Sequence, residues 1–247
     1  MKLRFSLAAV LFVMASASVS VSVFAKDDIT KELITSNGKT RAYYLYVPST
    51  VKTSAPLLIT LHGSNRNGIT LVEKWKDYAK KEGIILVGPD SSNPRGWASP
   101  QDGPDFLRDL VEELKTKHPI NPRRVYLFGH SAGGSFSLNM ALLESQYFAA
   151  AAIHAGALTN LDVIEEAKRK IPISIQIGDS DPLVPLKIVR ATSDALKEAG
   201  FTVDLVEIAN HDHWYYDKAS KFNQTEWEFL KKYELDSDPQ YRKYNWN

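Results

Sequence analysis

The stretch Val125-Tyr126-Leu127-Phe128-Gly129-His130-Ser131-Ala132-Gly133-Gly134 decides the fold. Its four leading apolar residues read as a buried strand, and the residues from Ser135 onward read as a helix. Ser131 therefore sits on a sharp strand-to-helix turn, with a glycine two residues to either side, in the arrangement called a nucleophile elbow. That turn forces the serine into a strained backbone conformation and presses neighbouring chain against the glycines, where any Cβ would clash. The strain lifts the hydroxyl clear of the sheet. Gly-x-Ser-x-Gly also occurs by chance in many chains, so the placement between strand and helix is what gives this copy its meaning.

Outward from the elbow, short apolar runs rich in β-branched residues alternate with amphipathic stretches, the pattern of βαβ units and a mainly parallel sheet with helices on both faces. The runs near 29–35 and 41–47 flank Ser36-Asn37-Gly38-Lys39, where Asn-Gly favours a hairpin, so the sheet opens with antiparallel strands. Strands are expected over 56–61, 83–87, 148–153, 171–177 and 201–208, and helices over 71–81, 105–117, 161–170, 185–199 and 220–233. Asp105 reads as the N-terminal cap of its helix. No internal repeat, linker or second core interrupts 26–247, which reads as one α/β domain. The tail from Asp236 carries Tyr241, Tyr244 and Trp246 and is otherwise polar.

A serine hydroxyl is a poor nucleophile until a base takes its proton, and that base must be held in one tautomer by a third group. Two loops just past predicted strands supply candidates: Gly178-Asp179-Ser180-Asp181-Pro182 and Asn210-His211-Asp212-His213-Trp214. In a parallel sheet the C-terminal strand ends share one edge, so these loops can meet Ser131 there. Serine, then acid, then histidine is the chain order of α/β-hydrolases. Asp179 and Asp181 are equally near their strand end, and either His211 or His213 can be the base. The two histidines also point the same way in an extended segment, as a metal pair would, but no third ligand is evident and no metal is expected. Two backbone N–H groups suit the oxyanion of an acyl-transfer intermediate: that of Ala132 at the helix start, and that of Ser64 in the loop His62-Gly63-Ser64. His62 reads as a brace for that loop. Trp97, Trp214, Tyr215 and Tyr216 sit on predicted loops and could wall a substrate site, with Trp97, His211 and Trp214 the candidate contacts, or could simply pack loops onto the body.

The chain has 247 residues, of which 44% are hydrophobic and 24% charged, with a formal net charge of +1, so neither disorder nor a strongly basic nucleic-acid binder is expected. Residues 1–25 differ in kind. Lys2 and Arg4 lead an apolar run and then small residues up to Val23-Phe24-Ala25, which reads as a cleavable secretory signal peptide too short to anchor in a bilayer. Its removal leaves 28 basic against 29 acidic side chains, a near-neutral exported protein with no membrane attachment, suited to a bacterial periplasm or exterior. The chain has no cysteine, which excludes disulfides, a thiolate nucleophile, cysteine-ligated zinc and a lipid-modified cysteine. Asn223 opens an Asn-x-Thr sequon, but in a helix-like stretch.

These motifs resemble the α/β-hydrolase esterases that include polyhydroxybutyrate-depolymerase-like, feruloyl and acetylxylan esterases. The resemblance runs over most of 41–230 and includes Arg41–Pro48, Ala55-Pro56-Leu57, Leu61-His62-Gly63, Arg124-Val125-Tyr126 leading into the elbow, Phe148–Ala151 and Gly178–Pro185. It implies Asp181, before Val184-Pro185, as the acid, and His213, before the aromatic Trp214, as the base. The turn departs from the family, since Asn210-His211-Asp212 stands where a glycine-rich turn is usual. The expectation is a secreted serine hydrolase of a small-molecule or polymer-linked carboxylic ester, needing no cofactor and carrying no signal of its oligomeric state. A serine peptidase of prolyl-oligopeptidase type and a noncatalytic binding protein on the same fold are the competing readings.

Overall fold

The computed structural model describes residues 27–51 and 53–244. The signal-like residues 1–25 lie outside that range, as does Trp246. Asn37 and Gly38 both take positive φ, 50° and 73°, and Ser36 pairs with Lys39 across them. The two-residue turn thus joins β1 (Ile29–Ser36) to β2 (Lys39–Tyr46) as an antiparallel hairpin, as Asn-Gly leads one to expect.

Six further strands extend the sheet: β3 (Ala55–Leu61), β4 (Ile85–Pro89), β5 (Ile120–His130), β6 (Ala150–His154), β7 (Ile173–Gly178) and β8 (Val203–Ile208). Their order is β1-β2-β4-β3-β5-β6-β7-β8, antiparallel at β1-β2 and β2-β4 and parallel from β4 to β8. Because β3 and β5–β8 run the same way, the loops after them open on one edge of the sheet.

Among the described residues five α-helices cover it: α1 (Ile69–Glu82), α2 (Pro104–Lys117), α3 (Ala132–Leu143), α4 (Leu186–Glu198) and α5 (Ala219–Leu230). Side chains alternate across the strands, so Leu57, Ile59 and Leu61 meet Phe106, Leu110 and Leu138 on the face of α2, α3 and α4. Leu58, Tyr126 and Phe128 meet Trp75, Phe222 and Trp227 on the face of α1 and α5. Each side chain of this size contributes about 1.5–3 kcal/mol on full burial, so the strand runs that read as continuously apolar are the ones buried on both sides. Glu226 is sealed between α5 and the sheet with no exposure. Burial pushes its carboxyl up to about 8, with the Ser174 hydroxyl pulling the other way.

Several local expectations change. The helix expected over 161–170 is a short 3-10 turn at Leu161–Glu166, started by the Asn160 side chain accepting from the Asp162 N–H. The chain beyond it is drawn away because the Arg169 guanidinium donates to the Ser145, Phe148 and Ala149 carbonyls. Helix α3 begins at Ala132, three residues before Ser135, so Gly133 and Gly134 lie inside it. Gly83 is the left-handed cap of α1 (φ 71°), and the following strand starts at Ile85. Asp105 is not the cap of α2. Gly103 holds that position with Pro104 behind it, and Asp105 accepts a hydrogen bond from Tyr241, which ties the C-terminal tail to the body. The Asn223 side chain is buried, accepting from Tyr215 and donating to the Lys74 carbonyl, which leaves no room for a glycan.

Candidate active site

Ser131 joins β5 to α3 with φ 58° and ψ −121°, a conformation costly to any residue with a Cβ. Packing imposes it. A Cβ on Gly129 would run into the Gly133 carbonyl and the Ser137 hydroxyl, and one on Gly133 would run into the Leu61 carbonyl, so the elbow is pressed between β3 and α3. The Ser131 N–H donates to the His154 carbonyl at the end of β6 (2.9 Å), and its own carbonyl accepts the Ser135 N–H, the first bond of α3.

The loops after β7 and β8 bring the other two groups. Asp181 Oδ1 accepts from the Leu183 and Val184 N–H groups at 2.8 and 2.9 Å, while Oδ2 faces His213 Nδ1 at 2.7 Å. A carboxylate only accepts, so Nδ1 carries the ring proton and Nε2 presents a lone pair. That Nε2 lies 2.8 Å from Ser131 Oγ. The Asp181 side chain is wholly buried and that of His213 is 13% exposed, so the line from carboxylate to imidazole to hydroxyl is shielded at its carboxylate end. Asp179 instead accepts from the Asn210 N–H and the Ser180 hydroxyl, holding the two loops together away from the imidazole.

His211 turns inward, contrary to its reading as a substrate contact. It is 1% exposed, its Nε2 meets His154 Nε2 at 3.3 Å, and it packs on Phe222. The alternation expected of an extended 211–213 segment fails because the chain turns there. Among the described residues no group of three histidine or acidic side chains is arranged to hold a metal ion.

The loop after β3 lies directly over the serine: a Cβ on Gly63 would sit 3.4 Å from that of Ser131 and 3.3 Å from the His130 ring. Ser64, the next residue, is on this loop, and Ala132 occupies the first position of α3, where helical N–H groups have no partner within the helix. His62 braces the loop, its Nδ1 donating to the Gly63 carbonyl (2.9 Å) and its Nε2 accepting the Ser91 N–H (3.2 Å). Burial lowers its basicity and keeps it neutral.

Trp97 donates its indole N–H to the His62 carbonyl (2.8 Å) and stacks on Phe136, so it buttresses the loop after β3. Its own loop is pinned from behind by Asp102, a fully buried carboxylate that accepts from Arg41, the Ser92 N–H and hydroxyl, and the Ala98 N–H. Of the other aromatics, Tyr215 is buried against His130, whereas Trp214 is 44% exposed beside His213. Arg66 lies over the rings of Trp214 and Tyr216, a feature the sequence does not announce. His130 and His154 are two further buried histidines close to Ser131. Their only signal was a histidine at the end of each of two predicted neighbouring strands.

A nucleophile elbow at the C-terminal edge of a sheet that is parallel over six strands, with an acid and a histidine on the next loops, defines an α/β-hydrolase. Within that class the chain belongs to the dienelactone hydrolase family, whose model matches residues 92–235. It is 28% identical over 151 residues to a bifunctional acetylxylan esterase/xylanase of Neocallimastix patriciarum, covering 60% of this chain and 22% of that protein. It is 28% identical to feruloyl esterase B of Thermothelomyces thermophilus, covering 46% and 43% of the two chains. It is 29% identical to a poly(3-hydroxyalkanoate) depolymerase C of Paucimonas lemoignei, covering 46% and 30%. The chain thus spans less than half the length of the curated relatives it matches. Among solved structures, a thermostable esterase superposes with a TM-score of 0.68 at 22% identity, covering 84% of this chain and 64% of that one. A ferulic acid esterase superposes with 0.67 at 18% identity, covering 83% and 98%. These structural likenesses carry the fold.

Proposed function

We propose that the protein hydrolyses carboxylic esters through an acyl-enzyme formed on Ser131, with His213 as base and Asp181 as its partner. The observation that carries this reading is the continuous line Asp181 Oδ2, His213, Ser131 Oγ, with its two contacts at 2.7 and 2.8 Å. Membership of a hydrolase family and likeness to proteins named as esterases support the choice of bond.

In this scheme Ser131 Oγ attacks the ester carbonyl carbon while its proton passes to His213 Nε2, and the imidazolium is stabilised by Asp181. The carbonyl oxygen becomes an oxyanion between the N–H groups of Ala132 and Ser64, each such donor contributing on the order of 2.7–4 kcal/mol to the transition state. Collapse breaks the bond to the alcohol oxygen, which leaves with the proton from Nε2. Water then attacks the acyl carbon, giving its proton to His213, and the acid departs as Ser131 regains a hydrogen. No step calls for a cofactor. The substrate is a small-molecule or polymer-linked ester, with Trp97 and Trp214 the candidate contacts for its aromatic or sugar-linked parts.

The leader-like residues 1–25 support a place outside the cytoplasm, and no helix among the described residues is long and apolar enough to cross a membrane. The test is turnover of a short-chain nitrophenyl ester, alongside labelling by an organophosphonate. Turnover and labelling that both vanish in Ser131→Ala are expected. Equal turnover by that variant, or a wild-type protein that neither turns over nor labels, would end this reading, and faster cleavage of a peptide nitroanilide would redirect it to peptides.

A further inference from the structure

Three histidines that take no part in the scheme above form a buried chain behind it. His130 ends β5 immediately before Ser131, His154 ends β6 in register with it, and His211 stands two residues before His213. His130 Nδ1 meets His154 Nδ1 at 3.1 Å, and His154 Nε2 meets His211 Nε2 at 3.3 Å. None of the three is more than 3% exposed. Tyr215 packs on His130 and His154, and Phe222 packs on His154 and His211, so the rings are walled in by aromatic surface.

His154 uses both ring nitrogens, and it grips one catalytic segment with each. Through Nδ1 it holds the residue that precedes the nucleophile, and its backbone carbonyl holds the Ser131 N–H as well. Through Nε2 it holds the loop that bears the base. The His211 backbone is itself seated against the end of β7: its carbonyl accepts the Ser180 N–H and lies where a Cβ on Gly178 would be. No covalent link joins the two segments, and the Ser131–His213 contact depends on their spacing.

We propose that His154 is a positioning residue for the Ser131–His213 pair, its imidazole tying the strand end that carries the nucleophile to the loop that carries the base. The proposal rests on the ester-hydrolysis reading for its kinetic consequence, though not for the existence of the chain. Imidazole suits the place because a neutral ring offers one donor and one acceptor on opposite sides, a pairing that phenyl lacks altogether. The N–H directions are also linked. Both bonds point toward His211 or both point toward His130, because His154 can donate at only one nitrogen while neutral. Burial keeps all three rings neutral, lowering His130 to about 3 and His154 and His211 in the same direction.

A misplacement near 1 Å at a reacting centre costs about 100-fold in rate. His154→Phe is therefore expected to lower kcat about 10- to 100-fold, per site titrated with organophosphonate, with KM within about twofold of wild type. His211→Phe should give a similar loss, and the double variant should be no worse than either single one, because either change cuts the same tie. His154→Asn and His154→Gln, each keeping one half of the chain's polar contacts, should fall between. Wild-type protein labelled with 15N-histidine should show two imidazole N–H···N couplings, and both should be lost in His154→Phe. An unchanged kcat per titrated site in His154→Phe, losses that multiply in the double variant, or an absence of both couplings overturns the proposal. Failure of wild-type protein to turn over or label removes the ester reading and the kinetic role together, whereas turnover that survives His154→Phe removes this role alone.

Discussion

His213 Nε2 lies 2.8 Å from Ser131 Oγ, although 82 residues of chain separate them. Three strands, β6, β7 and β8, and two α-helices, α3 and α4, fold between these positions, and both residues still arrive at one sheet edge. The contact is therefore a property of the parallel topology, and it is where the chemistry should be most sensitive to substitution.

Ser131→Ala and His213→Ala should each lower kcat by at least about 10⁴-fold, with the double variant no worse than the single ones, because the residues act as a unit. Asp181→Asn should cost about 10³–10⁴-fold by favouring the wrong tautomer of His213. Steady-state kinetics on a nitrophenyl ester measure all three. A loss at His211→Ala exceeding that at His213→Ala would reverse the assignment of the base.

The elbow stores strain that only glycine would relieve. Ser131→Gly should raise stability by about 1–2 kcal/mol relative to Ser131→Ala, since both lack the hydroxyl but only glycine tolerates φ 58° with ψ −121°. Urea unfolding midpoints of the two variants provide the comparison. Equal midpoints would show that the backbone conformation carries no cost.

Two buried groups impose opposite pH dependences on stability. Glu226 titrates near 8 in the folded protein against 4.5 as a free side chain, so between those values only the folded state holds the proton and stability falls as pH rises. His130 is lowered from 6.5 to about 3, so across that window only the unfolded state holds its proton and stability falls as pH drops. Glu226→Gln should therefore stabilise the protein by on the order of 2–4 kcal/mol at pH 8 relative to pH 4.5. Thermal unfolding across pH reads the difference, and a uniform shift at all pH values would contradict it.

Trp214 offers an exposed ring next to His213, the proposed base, with the Arg66 guanidinium over it. Trp214→Ala should raise KM for aromatic acyl esters about 3- to 10-fold relative to acetyl esters and leave kcat nearly unchanged, because a wall that binds without touching the reacting atoms acts equally on ground and transition states. A parallel loss on both substrates would mean that the ring only packs the loop.

Much of this was legible in the sequence, for identifiable reasons. Asn37-Gly38 admits few conformations, so the hairpin could be read from two letters, and the elbow could be read because its glycines answer a steric demand. Asp181 and His213 needed more. Both lie beside a second residue of the same type, and only the fold shows that Asp179 fastens loops while His211 faces inward. The helical start at Ala132 was hidden because Gly133 and Gly134 resemble a turn, when in fact close packing against β3 and β6 selects them. The histidine chain was illegible because a buried polar side chain is written with the same letter as an exposed one. Its partners come from three different strand ends, which only the sheet order brings together.

The carboxylate of Asp102, gripped by four donors in the interior, makes the two sides of the mouth mechanically unequal. The side carrying Trp97 behaves as a fixed jaw, moored through Arg41 to β2 of the sheet and unable to yield without exposing a charge. Trp214, 44% exposed on its own loop, has no such mooring of its side chain, so a change of shape in the proposed site meets less resistance there.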